Sequence, residues 1–283
     1  MALVKHKFGT TYYIKHKSKD KNKKSPIVFL HGGPGGTHEY FLSLISLAKN
    51  RDLFMYDQIG GGASSEIETK LWKIETFVEE LGILLDEWRL DSFILLGSSW
   101  GTTLALEYFL RTKDKRIEKI IFQSPMFSER DWSLDANRLI NLMPKDTKKI
   151  INYCHEIGAT DSIVYKKAVF DYYLKHVLRN KIMLMRKRKP NIGGEKIYSH
   201  MWGPSEFKAT GTLRNYDKVT SLKKITIPVL LICGEYDEAT PKTVKRYHKL
   251  IKGSKFEVVK KASHCIALEN PKDYLIQIKK FID

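Results

Sequence analysis

The 283-residue chain has only three cysteines, Cys154, Cys233 and Cys265, far apart and without metal-ligand spacing. An odd, scattered set excludes a disulfide framework and a thiolate metal site, and it fits a reducing cytoplasm. No segment approaches the roughly 20 apolar residues a membrane span needs. The opening Met1-Ala2-Leu3-Val4-Lys5-His6-Lys7 lacks the apolar stretch of a secretion signal. Repeats and Gly/Ser linkers are also missing, which leaves one large α/β domain with room for an insertion. Acidic residues are scarce: 32 Asp plus Glu stand against 49 Lys plus Arg, a formal net charge of +17. The basic residues cluster in 15–24 and in Arg186-Lys187-Arg188-Lys189. They are mostly lysines in turn-like stretches that match no recognition motif, so they read as solvated surface, with neither nucleic acid nor membrane expected as partner. No feature specifies an oligomeric state.

Residues 3–16 read as two short strands around Gly9, and Ile27 to Leu30 as a buried strand ending at His31-Gly32-Gly33-Pro34-Gly35-Gly36. A helical stretch, Glu39 to Ala48, leads to a strand at Leu53 to Tyr56 and a second glycine loop, Asp57-Gln58-Ile59-Gly60-Gly61-Gly62. Ile74, Phe77, Val78, Leu81, Leu84, Leu85 and Trp88 form one apolar helical stripe. Strands follow at Phe93 to Leu96 and Ile117 to Phe122. From Ser128 to Tyr216 the patterns are helical, with Ile163 to Leu178 a long example. Strand patterns return at Val229 to Cys233 and Phe256 to Val259, separated by a helix and followed by another from Pro271. Strands alternating with helices and apolar on both faces predict a mostly parallel α/β sheet. The expected division is a core of residues 1–127 and 217–283 interrupted by a helical lid, 128–216.

Gly97-Ser98-Ser99-Trp100-Gly101 joins the strand at Phe93 to a helical pattern beginning at Thr102. A G-x-S-x-G at such a junction is a nucleophile elbow, with Ser99 at its apex. A serine needs a base, and the base an acid to orient it. In a sheet of this kind both partners follow the nucleophile, the acid past a late strand and the base past the last. His264 alone among nine histidines has that order and context. Asp237 ranks first as the acid, with Glu235 and Glu238 competing; Asp57 precedes the serine and is disfavoured. Seven histidines, His38 among them, read as solvated or packing residues, and His31 as shaping its glycine loop. The backbone N–H of Trp100 would be one oxyanion donor, and the His31–Gly35 loop would supply the second. Serine-type acyl transfer is therefore predicted, without metal or cofactor. An aspartate at the elbow would mark a dehalogenase or epoxide hydrolase, and here it is a serine.

Nearly the whole chain resembles the proline iminopeptidases, the smaller-member subgroup that includes the tricorn-interacting aminopeptidase. His31-Gly32-Gly33-Pro34-Gly35 matches the family's HGGPG, Asp57 to Ser64 its D-Q-x-G-x-G-x-S, and Gly97 to Gly101 its G-x-S-W/Y-G. Gly203-Pro204-Ser205-Glu206-Phe207 is close to the lid motif G-P-N/S-E-F, with Ser205 in place of a frequent Asn. The resemblance implies an α/β-hydrolase fold, a cytoplasmic aminopeptidase and short peptide substrates with a free N-terminus. It also implies Gly33 and Trp100 as oxyanion donors, and Glu206 and Glu238 as the pair that binds the α-ammonium. A carboxylesterase or lipase-like hydrolase is the alternative, since G-x-S-x-G alone is shared by many esterases. Cys265 adjoins His264, so bulky thiol reagents would inhibit by crowding the base unless the thiol is buried and inert.

Overall fold

A computed structural model describes residues 2–186 and 190–283; Met1 and residues 187–189 of the second basic cluster lie outside that range. Among the described residues, eight strands form one sheet. They are β1 (Ala2–His6), β2 (Gly9–His16), β3 (Lys24–Leu30), β4 (Arg51–Tyr56), β5 (Phe93–Ser98), β6 (Ile117–Gln123), β7 (Val229–Gly234) and β8 (Lys255–Val259). The spatial order is β1-β2-β4-β3-β5-β6-β7-β8, antiparallel through β1, β2 and β4 and parallel from there on.

The central strands are apolar on both faces because both are covered. Val28 and Leu30 of β3 face a cluster with α1 (Ile74–Glu87) and α2 (Trp100–Thr112). Ile27 and Phe29 face the opposite cluster, which includes residues 38–49 and the C-terminal helix. The stretch expected as a helix at Glu39 to Ala48 is a 3₁₀ helix, His38–Lys49. Its buried residues Phe41, Leu44 and Leu47 recur every three positions, the spacing that a three-residue turn stacks on one face.

Between β6 and β7 lie α3 (Glu129–Asn141), α4 (Lys145–Glu156), α5 (Ile163–His176), α6 (Lys181–Met185) and α7 (Ile192–Met201). The two ends of this segment meet: Ser128 and Asp217 form an isolated antiparallel bridge, and Glu129 N donates to Tyr216 O at 2.8 Å. α8 (Pro241–His248) follows β7, capped by the Thr240 hydroxyl with Pro241 in its first turn. After β8 come α9 (Ile266–Glu269), too short to leave a periodic signal, and α10 (Pro271–Ile282), capped by Asn270. No helix among the described residues is long and apolar enough to cross a membrane.

At the junction of β5 and α2 the backbone approaches its neighbours too closely for any side chain at its two glycines. A Cβ on Gly101 would run into the carbonyl oxygen of Leu30, and one on Gly97 into that of Gly101. Gly82, on α1, has only the Tyr108 ring edge nearby, at 3.6 Å from where a Cβ would sit. Gly101→Ala is therefore expected to cost on the order of 3 kcal/mol in chemical denaturation, while Gly82→Ala gains about 0.5–1 kcal/mol from helix propensity. Equal stability of the two variants would contradict this packing.

Candidate active site

Ser99 sits between β5 and α2 with φ 53° and ψ −121°, a backbone state disfavoured for a residue with a side chain. The surroundings hold it there. Its N–H donates to Gln123 O at 2.9 Å, and its carbonyl accepts from Thr102 N at 2.8 Å and Thr102 Oγ1 at 2.7 Å. Trp100 opens α2, so its N–H belongs to the unpaired, positive end of the helix. The Trp100 indole donates to Gln58 Oε1 at 2.8 Å. Gln58 ties that contact to the other glycine loop, donating from Nε2 to His31 O at 3.1 Å and from its backbone N–H to His31 Nε2 at 3.0 Å. His31 Nε2 must then be unprotonated, and Nδ1 donates to Gly32 O at 2.9 Å. Burial lowers the His31 pKa and keeps the ring neutral. Gly32 abuts the serine, with space for a Cβ only 3.2 Å from Ser99 Cβ, and Gly33 has φ +117°. His38, read from the sequence as a solvated or packing residue, pairs with Asp57, Nδ1 to Oδ1 at 2.7 Å.

Asp237 and His264 meet. Nδ1 of the ring lies 2.8 Å from Asp237 Oδ1. A buried carboxylate accepts, so Nδ1 carries the proton and the Nε2 lone pair is left for other work. Asp237, 1% exposed, also accepts from Ala239 N at 2.9 Å, Gly234 N at 3.1 Å and the Ser124 hydroxyl at 2.6 Å. Burial pulls the His264 pKa down, but the Asp237 carboxylate, with help from Glu206 and Glu269, outweighs it and holds the ring above its ordinary 6.5. Of the competing acids, Glu235 turns to Lys261 N at 3.0 Å, while Glu238 Oε1 lies 3.8 Å from His264 Nδ1. Two backbone hydrogen bonds fasten this loop to the end of α5: His264 N to His176 O at 3.1 Å and Cys265 N to Val177 O at 2.8 Å. Cys265 itself is half-buried. Ser99 Oγ makes no hydrogen bond among the described residues; the elbow and the histidine loop are joined through Gln123, which accepts from Ser99 N and donates to His264 O at 2.9 Å.

Glu206 and Glu238 form an acidic pair beside this ring. Burial, then Glu206 and Asp237, hold the Glu238 carboxyl well above the ordinary value, and its Oε2 is buried with no hydrogen-bond partner among the described residues. Glu206 Oε2 accepts from Tyr198 at 2.7 Å and Tyr173 at 3.3 Å. Trp132 donates from Nε1 to Glu206 O at 3.0 Å and presents its ring edge-on to His264 at 5.7 Å. A buried Glu238 carboxylate crowded by the half-buried Glu206 is costly unless a cation lies between them, so the arrangement can hold a small ammonium group. Trp132, Tyr173 and Tyr198 were not legible as site residues, because outside its one motif the helical insertion offers no pattern that separates a pocket aromatic from a packing one. The one available clue was that a glutamate in a helical insertion needs donors.

The balance at His264 has a direct readout. An NMR pH titration of its ring protons should give a pKa above 6.5 in the wild type. In Asp237→Asn burial acts with less opposition, so the value should fall below the wild-type one; an unchanged value would mean that Asp237 does not govern this ring.

The family model described as alpha/beta hydrolase fold matches residues 25–271. The proline iminopeptidase of Heyndrickxia coagulans is 40% identical over 262 residues, which cover 92% of this chain and 91% of that protein. The crystal structure of the proline iminopeptidase from Mycobacterium smegmatis superposes with a TM-score of 0.87 at 27% identity, covering 99% of this chain and 97% of the other. That of VinJ gives 0.89 at 28% identity over the same shares. With the fold, the elbow and this degree of likeness, the chain belongs to the proline iminopeptidase family of α/β hydrolases.

Proposed function

We propose that this protein is a serine aminopeptidase that releases N-terminal residues, preferentially proline, from short peptides through an acyl-enzyme at Ser99. The observation that carries the reading is the acidic pair beside the base, with a buried Glu238 oxygen that lacks a partner. An esterase has no use for a cation site there, and a site for the free α-ammonium is what an aminopeptidase requires. Proline suits it because a secondary ammonium still offers two donors, one for each glutamate. The likeness to proline iminopeptidases supports the same choice.

In this reading Ser99 Oγ attacks the carbonyl of the first residue while His264 Nε2 takes its proton. Asp237 holds the Nδ1–H tautomer and stabilises the imidazolium that forms. The backbone N–H groups of Gly33 and Trp100 receive the developing oxyanion. The imidazolium then protonates the leaving amine, and water, activated by the same ring, releases the acyl group. Residues 128–216 act as a lid that carries Glu206, Trp132, Tyr173 and Tyr198 over the site, while 1–127 and 217–283 make the core. The absence of disulfides among the three cysteines agrees with a cytoplasmic setting.

Acylating the amine of a prolyl anilide removes the cation, so the capped substrate should not be turned over; equal cleavage of capped and free anilides would end the aminopeptidase reading. Glu206→Gln leaves the other carboxylate and the ammonium poorly matched, and its kcat/KM should fall by about 2–5 kcal/mol in transition-state terms. Ser99→Ala is expected to lose acyl-enzyme formation and labelling by a fluorophosphonate; persistent turnover would remove Ser99 from its role.

A further inference from the structure

Behind the site lies a polar pair that the mechanism above does not use. Gln123 ends β6, and Ser124 follows with φ 51°, both wholly buried. The amide orientation of Gln123 is fixed by its partners: a carbonyl can only accept, so the nitrogen must face His264 O, at 2.9 Å. The same nitrogen donates its second hydrogen to Ser124 Oγ at 2.8 Å, while Oε1 accepts from the Tyr40 hydroxyl at 2.9 Å. With its lone pair so engaged, the Ser124 hydroxyl has one proton to place. Asp237 Oδ2 at 2.6 Å is a far better acceptor than His264 O at 3.4 Å. Ser124 N donates to Ile232 O at 2.8 Å, which ties the residue to β7 and the loop that carries Asp237.

We propose that Ser124 is a positioning residue for the acid–base pair, its hydroxyl donating to Asp237 Oδ2 so that Oδ1 stays aimed at His264 Nδ1 and carries a tempered share of the charge. This rests on the Ser99–His264–Asp237 reading above. Asp237 Oδ2 has two donors, Ser124 and Gly234 N, and the second cannot follow the carboxylate if it rotates. Without the hydroxyl, Asp237 would be freer to turn and its charge would concentrate on the oxygen facing the imidazole. The ring would then hold its proton more tightly. The other titratable groups around the pair, Glu206, Glu238, Glu269, His176, Tyr172 and the Cys233 thiol, are untouched by a change at Ser124.

Two substitutions separate the hydroxyl from the backbone. Ser124→Gly removes the hydroxyl and suits a positive φ, whereas Ser124→Ala removes it and keeps the strained backbone. Both should lower kcat about tenfold with KM changed less than about twofold, as fits loss of a charge-assisted hydrogen bond felt in the transition state. In both, the acid limb of kcat/KM should move to higher pH, because a neutral imidazole is needed to accept the serine proton. The proposal is overturned if Ser124→Gly keeps wild-type kcat, or if both variants slow down with the acid limb unmoved. Ser99→Ala, run alongside, tells the two readings apart: turnover surviving there removes the triad itself, and this inference with it.

Discussion

A carboxylate stripped of water must have its charge answered in place, and Asp237 is where this molecule does so. It is 1% exposed and takes donors on both oxygens: two backbone amides, a hydroxyl and an imidazole. One amide comes from the last residue of β7 and the other from the turn after it, the hydroxyl from the end of β6 and the imidazole from the turn after β8. Three neighbouring parallel strands therefore have to end at the same level for that charge to be tolerated. The sheet supplies this, since β6, β7 and β8 pair in continuous parallel register. The raised His264 pKa is the electrostatic trace of the arrangement.

The second charge problem has the opposite sign of solution. Glu238 is buried near Glu206 and Asp237 and leaves one oxygen without a partner, so its proton affinity rises. Where Asp237 is answered by the protein, Glu238 is answered only in part. A group left partly unsatisfied by its own fold is suited to a partner that arrives from outside, and an ammonium fits better than any neutral group. The chain as a whole is strongly basic, +17, so this acidic recess runs against the general field of the molecule. Its effect on a cation must be local.

Much of this was open to reading in the sequence, for identifiable reasons. The elbow shows because its glycines answer to a steric demand that no other residue meets, at Gly97 and Gly101. Asp237 and His264 could be picked by order along the chain, since they follow the last two strands, and they are hydrogen-bonded. Gln123 and Ser124 gave no signal, because a polar pair at a strand end has no period or motif and acquires meaning only from what faces it. The 3₁₀ character of residues 38–49 was missed because apolar residues three apart fit either kind of turn. The His38–Asp57 pair was missed for another reason: it joins the start of the 3₁₀ helix to a loop 19 positions further along the chain.

The backbone bonds from His264 and Cys265 tie the loop after β8 to the end of α5. These carbonyls belong to the segment proposed to cover the site, and the amides to the loop that presents the imidazole. An outward swing of α5 would pull on the residue proposed to take the serine proton. With α5 displaced, the ring proposed as the base would lose its alignment, and it would regain it once the helix settled back against the loop.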